Sequence, residues 1–210
     1  MNVRSSQTSS STIRQLVLAS SSPRRQELVA SLGLSLPVLI LSSDADESTP
    51  ENWSPAMIVE QLGLRKARAT AELLSSDAAK SSLIIGADTI VVLDGKVLGK
   101  PADKDNAIRT LSALEGREHE VYTGVAVIEP GTGRELVQHR MTRVTMKKLG
   151  EDRIRRYVDS GEPLDKAGSY GIQGLGATIV ERIDGCYFNV VGLPLSLLSD
   201  MLDEFSINVI

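Results

Sequence analysis

The sequence predicts an α/β domain built on an elongated mixed β-sheet flanked by helices. Three observations carry that expectation. An apolar run at residues 13–19 breaks into Ser20-Ser21-Ser22-Pro23 and then into a helical pattern, a strand–turn–helix unit. A second apolar run, 83–93, ends on Asp94-Gly95, a tight-turn pair that folds 96–98 back as a short partner strand. Two alternating runs, 119–128 and 134–146, flank Glu129-Pro130-Gly131-Thr132-Gly133, which is a hairpin signal.

The remaining elements follow from caps and breakers. Ser22 is placed to cap a helix over 23–32, Pro23 suits its first turn, and Gly33 stops it. Residues 36–41 read as a strand leading into the acidic stretch Asp44-Ala45-Asp46-Glu47. Ser54-Pro55 opens a long helix to about residue 76, with Gly63 a weak point inside it. Asp103 caps a helix over 104–115, and another spans 151–159. Strands are expected at 177–183 and 187–191, then a last helix from Pro194. No long linker interrupts this order, so residues 13–210 are expected to form one domain. Residues 1–12, rich in Ser and Thr, are expected to be a disordered tail.

Composition removes several function classes. Hydrophobic residues make up 41% of 210, enough for a sizeable core. Aromatics are 3% and the net charge is −4, which argues against nucleic acid or a membrane as partner. No apolar stretch has the length of a membrane span. The single cysteine, Cys186, forms no internal disulfide, fits a reducing compartment such as the cytoplasm, and reads as a buried thiol in a strand. With it and two histidines, zinc lacks its usual ligands.

Four features point to chemistry. Arg24 and Arg25 open a helix whose N-terminus already favours anions, beside the hydroxyls of Ser20 to Ser22. Asp88 interrupts an apolar strand between Gly86 and Thr89, where a carboxylate is costly unless it is paired or holds a cation. It is a candidate base or metal ligand, the plainer alternative being a carboxylate satisfied by backbone N–H or Arg. Glu47 is the natural second carboxylate, or else a solvated loop acid. Lys66, Lys100 and Lys166 add charge able to neutralise a chain of phosphates, if the fold gathers them. Finally, 161–176 carries five glycines beside Gln173, whose amide offers a donor and an acceptor to one edge of a base. It has neither a Walker loop nor a dinucleotide fingerprint.

Taken in order, six motifs resemble the Maf family of nucleoside triphosphate pyrophosphatases across residues 14–200. They are Ala-Ser-x-Ser-Pro-Arg-Arg-x-Glu-Leu at 19–28, Gly-Ala-Asp-Thr at 86–89, Gly-Lys-Pro at 99–101 and Thr-Gly-Val at 123–125. Glu-Pro-x-Asp-Lys-Ala-Gly-x-Tyr-Gly-Ile-Gln-Gly at 162–174 and Val-Val-Gly-Leu-Pro at 190–194 complete the set. The resemblance implies two lobes around a central cleft and hydrolysis of a nucleoside triphosphate to the monophosphate and pyrophosphate with a divalent metal, Mg, Mn or Co. The 165–174 run is similar to the subtype that favours dTTP and UTP. By motif, Asp88 is implied as proton acceptor. Arg24, Thr89 and Gln173 are implied at specificity positions. Ser20, Arg25, Lys66, Lys100 and Lys166 are implied at phosphate-binding positions, with Glu47 and Asp88 on the metal and Asp46 able to exchange with Glu47. A homodimer is also implied. The competing expectation is a nucleotide-binding regulator of septum formation that does not turn its ligand over.

Overall fold

In the computed structural model, which describes residues 13–210, the long strands decide the architecture. Strand β1 (Gln15–Ala19) lies parallel to β2 (Val38–Ile40) and to β3 (Ser82–Leu93). From β3 onward pairing is antiparallel, through β5 (Glu118–Glu129), β6 (Arg134–Met146) and β7 (Val180–Asp184). The short β4 (Lys96–Leu98) pairs back on β3 through the Asp94-Gly95 turn. The sheet is therefore mixed, in the order β2-β1-β3-β5-β6-β7, with β4 beside β3. The expected tail falls outside the described residues.

Helices cover both faces. They are α1 (Pro23–Ser31), α2 (Pro55–Leu73), α3 (Ser76–Lys80), α4 (Lys104–Leu114), α5 (Glu151–Asp159), α6 (Tyr187–Val191) and α7 (Leu195–Asp203). Asp103 and Ser54 cap their helices as expected, accepting from Asn106 N and Met57 N. Ser22 holds the N-cap position without a side-chain cap bond; its amide instead donates to Ser20 Oγ at 3.2 Å. The long helix ends at Leu73 and α3 follows as a separate turn, because Ser75 starts a new cap.

Residues 187–191 form a helix and not the expected strand. Buried Asn189 decides it: its Nδ2 donates to Val121 O at 2.9 Å and Thr142 Oγ1 at 3.0 Å, while its carbonyl accepts from Thr123. Those tertiary bonds outweigh the β-preference of Tyr-Phe-Asn-Val-Val. Cys186 accordingly lies half-buried at the start of α6, not in a strand.

The glycines with a packing role are those of the strands facing α2, Gly86 and Gly124, and not Gly63 itself. A Cβ on Gly86 would fall 2.2 Å from Gly63 O, and one on Gly124 would fall 2.2 Å from Val59 O. Helix α2 therefore lies with its backbone almost on β3 and β5, which only glycines allow.

The core is divided along β3. On one face Leu83, Ile85 and Ala87 join a cluster with α1 and α7, whereas Val91 and Leu93 join another with α4 and α5. On the other face Ile84 packs with Leu64 and Ala67, and Ile90 and Val92 pack with Ile58, Val59 and Leu62. Both faces change cluster at 86–89, so two lobes share one sheet and meet at Asp88 and Thr89. Among the described residues no helix is long and apolar enough to cross a membrane.

Candidate active site

One edge of β3 is served by two strands in turn. β1 pairs with it up to Gly86, and β4 resumes only at Val91. Residues 87–90 thus lack a ladder partner on that edge among the described residues, while β5 stays paired along the other. A cleft of about 720 Å³ opens at this gap. It is lined by the β1–α1 turn, parts of the 42–49 loop, one face of α2, the Gly99-Lys100 corner and residues 165–167, 170–171 and 190–192. Such a break in pairing at the carboxyl end of a parallel strand is where open α/β sheets accept ligands.

Arg25 spans the gap. Its Nη1 donates to Ala87 O at 2.8 Å, a carbonyl that no strand reaches on this edge. Its Nε donates to Gly192 O at 2.7 Å and its Nη2 to Thr89 Oγ1 at 2.9 Å, with Ser20 Oγ at 3.5 Å from Nη1. Four of the five guanidinium N–H groups are engaged within the protein. Burial works against this charge, and the nearby Asp88 carboxylate supports it. The side chain expected to grip phosphate is a strut joining the β1–α1 turn, β3 and the 190–192 segment. Its charge still faces the cleft.

The hydroxyls beyond it form a directed chain. Thr123 Oγ1 donates to Asn189 O at 2.9 Å, so its 2.9 Å contact with Thr89 must be donated by Thr89. Thr89 accepts from Arg25 and gives to Thr123, which leaves it only an acceptor lone pair for a ligand.

On the opposite face of β3 stands the carboxylate pair. Asp88 is 9% exposed, and its Oδ1 takes Lys66 Nζ at 2.5 Å. The same ammonium lies 2.7 Å from Glu47 Oε1. A hydrogen bond from Lys66 and its charge, aided by Lys100 and Arg25, hold the Glu47 carboxyl below the usual range against some burial. Asp46 is separated from this role. It is exposed, bonds the Ser48 hydroxyl at 2.7 Å and lies 3.8 Å from Arg65. The loop register therefore gives the cleft to Glu47.

The cleft mouth carries a third cluster that sequence reading did not single out as a unit. Asp165 lies 3.5 Å from Arg24 Nη1 and 2.7 Å from Lys166 Nζ, joining the β1–α1 turn to the glycine-rich segment. Burial raises its pKa, but Lys166 and Arg24 outweigh that and bring it below the ordinary value. Lys100 is exposed on the lining, and Ser20 is buried beneath the turn. Ser20, Arg24, Arg25, Glu47, Lys66 and Asp88 share the lining with Thr89, Lys100 and Lys166. Gln173 does not line it; it sits half-buried two residues past Gly171, which does.

This wall of cations around a buried carboxylate suits a polyanion, and the comparisons agree in kind. A dTTP/UTP pyrophosphatase of Moorella thermoacetica is 52% identical over 195 residues, 93% of this chain and 97% of that protein. One from Desulforamulus reducens is 50% identical over 198 residues, 94% of this chain and all of that protein (100%). Another, from Pelotomaculum thermopropionicum, is 49% identical over the same span, again 94% and 100%. Residues 15–205 match the family described as Maf-like protein, and the cleft, the gap in β3 and the ordered motifs lie within that match: the chain belongs to the Maf family.

Proposed function

We propose that the chain hydrolyses pyrimidine nucleoside triphosphates, dTTP and UTP foremost, to the monophosphate and pyrophosphate. The observation that carries this is the Asp88–Lys66–Glu47 bridge set among Arg24, Lys100 and Lys166 in one cleft. Transfer of a phosphoryl or nucleotidyl group needs positioned cations more than a covalent nucleophile. The dTTP/UTP pyrophosphatases that cover nearly the whole chain support the same substrate class.

The residues divide by task. Asp88 accepts the proton of the attacking water as the bond between the α and β phosphates breaks and pyrophosphate leaves. Arg24, Lys100 and Lys166 face the phosphate oxygens, where negative charge grows in the transition state. Ser20 supports the β1–α1 turn, and Arg25 ties Ala87 and Thr89, on either side of Asp88, to it. Gln173, with Thr89 and Arg24, is assigned to base and sugar discrimination.

A divalent cation fits the donor set. Two carboxylate oxygens, Glu47 Oε1 and Asp88 Oδ1, already converge on one positive charge. Among the described residues no group of three or more His, Cys, Asp or Glu could hold a metal alone. Magnesium or manganese held by one or two carboxylates plus phosphate oxygens and water meets both conditions. Bound there, the metal would neutralise phosphate charge and lower the pKa of a water. The family resemblance further implies a homodimer, to be read by light scattering on a sizing column, and a cytoplasmic site of action.

Asp88→Asn tests the reading. Pyrophosphate release from dTTP is expected to fall about 10²–10⁴-fold, while affinity for an α,β-methylene analogue stays within a few-fold. Full turnover in the variant would remove Asp88 as the base.

A further inference from the structure

The glycine-rich segment is bolted from behind by a carboxylate and a phenol that the proposed chemistry does not use. Glu162 Oε1 accepts from Gly176 N and from Tyr157 Oη, each at 2.9 Å, and Oε2 accepts from Leu175 N at 2.9 Å. Tyr157 Oη in turn accepts from Gly171 N at 3.2 Å. The loop between is pinched shut. A Cβ on Gly176 would fall 1.9 Å from Gly171 O and 2.7 Å from the Tyr157 hydroxyl. A Cβ on Gly174, whose φ is +61°, would fall 2.6 Å from the Glu162 carboxylate. Gln173 lies in the chain between Gly171 and Gly174, two of the six bonded or touching residues, and its own side chain makes no part of the bolt.

The same residue reaches the phosphate side of the cleft. The Glu162 backbone carbonyl accepts a hydrogen bond from Lys166 Nζ, and Lys166 and Gly171 both line the cleft. One residue therefore fixes the loop bearing Gln173 with its carboxylate and the Lys166 ammonium with its carbonyl. Burial alone would favour a neutral Glu162, but the two backbone N–H groups, Tyr157 and Lys166 hold the carboxylate charged.

We propose that Glu162, acting with Tyr157, is a positioning residue that sets nucleotide-base selectivity by fixing the 171–176 loop relative to the phosphate-facing lysine. This rests on the pyrophosphatase reading above and adds to it the device by which base choice is held. Neither side chain is assigned a contact with substrate; both act through the loop bearing Gln173, while Lys166 is held by the Glu162 backbone carbonyl.

The test is kcat/KM for dTTP, UTP, CTP and GTP with the wild-type chain, Glu162→Ala, Glu162→Gln and Tyr157→Phe. Loss of the bolt is expected to shrink the preference for dTTP and UTP over GTP about tenfold in Glu162→Ala, the scale of a lost charge-assisted hydrogen bond. The shift should lie in KM for the pyrimidine nucleotides, with kcat little changed, and Glu162→Gln should recover part of it. If Glu162→Ala does not fold, Tyr157→Phe, which keeps the buried ring, still reads the effect as a smaller shift in the same direction. A uniform loss on all four nucleotides in the folded variants would overturn the positioning role while leaving the pyrophosphatase reading intact. Absence of pyrophosphate release from any triphosphate by the wild-type chain would overturn that reading itself.

Discussion

Lys66 is shared by two carboxylates in unlike surroundings. The Asp88 side chain is 12% exposed and that of Glu47 64%, so the bond to Asp88 carries most of the energy. Replacing Lys66 by Met strands a buried charge beside a second carboxylate. The expected cost is about 2–3 kcal/mol in urea unfolding, reduced from the fully buried case by the access of water. Lys66→Met combined with Asp88→Asn should recover more than half of that loss, since the stranded charge is gone. Asp88 was legible as a site because nothing in an apolar strand repays an unpaired carboxylate. Lys66 was legible only as one of several lysines. Arg25 was legible as a cation at a helix start, but its bracing was not, because its partners are backbone carbonyls and hydroxyls, mostly from distant segments, and carbonyls leave no trace in a sequence. Gln173 was legible as an amide in a turn, yet the structure sets it beside the cleft and not on its wall.

At the scale of elements, the site depends on how closely α2 approaches the sheet. The glycines that permit this are unequal. Gly86→Ala would drive a Cβ into the Gly63 carbonyl and the Ala67 backbone, with neither able to yield. It should cost about 3 kcal/mol or more and displace Lys66 from Asp88, which melting and turnover together would register. Gly63→Ala would meet its nearest neighbours at 3.4–3.6 Å and gain helix propensity, so its stability should stay within about 1 kcal/mol of wild type. The long strands, the hairpin and the capped helices were readable because period, turn chemistry and caps agreed. The 187–191 helix was not, because the bonds that impose it come from Val121, Thr123 and Thr142 on other strands. Nor was the break in pairing along β3, which depends on where β1 ends and β4 begins.

For the whole molecule, the pH response should be set in part by one buried histidine that stands behind the cleft wall, bonded to the cleft-lining Tyr170. His119 is 2% exposed, and its Nε2 lies 2.7 Å from the Tyr170 hydroxyl. Burial lowers its pKa from 6.5 to about 4. Between those values the unfolded chain binds a proton that the folded chain refuses, so stability falls as pH drops from about 6.5 to 4. The loss should approach about 3 kcal/mol at the acid end. His119→Gln, whose amide can still meet the Tyr170 hydroxyl but does not titrate, should flatten unfolding free energy over that window. An unchanged profile would place the acid sensitivity elsewhere.

The unbroken ladder from β3 through β5 to β6 runs beneath both halves of the molecule. A clamshell whose spine is a continuous ribbon has no hinge about which to swing. The rim of the cleft, made by the acidic 42–49 loop and the segment tethered by Asp165, stands outside that ribbon.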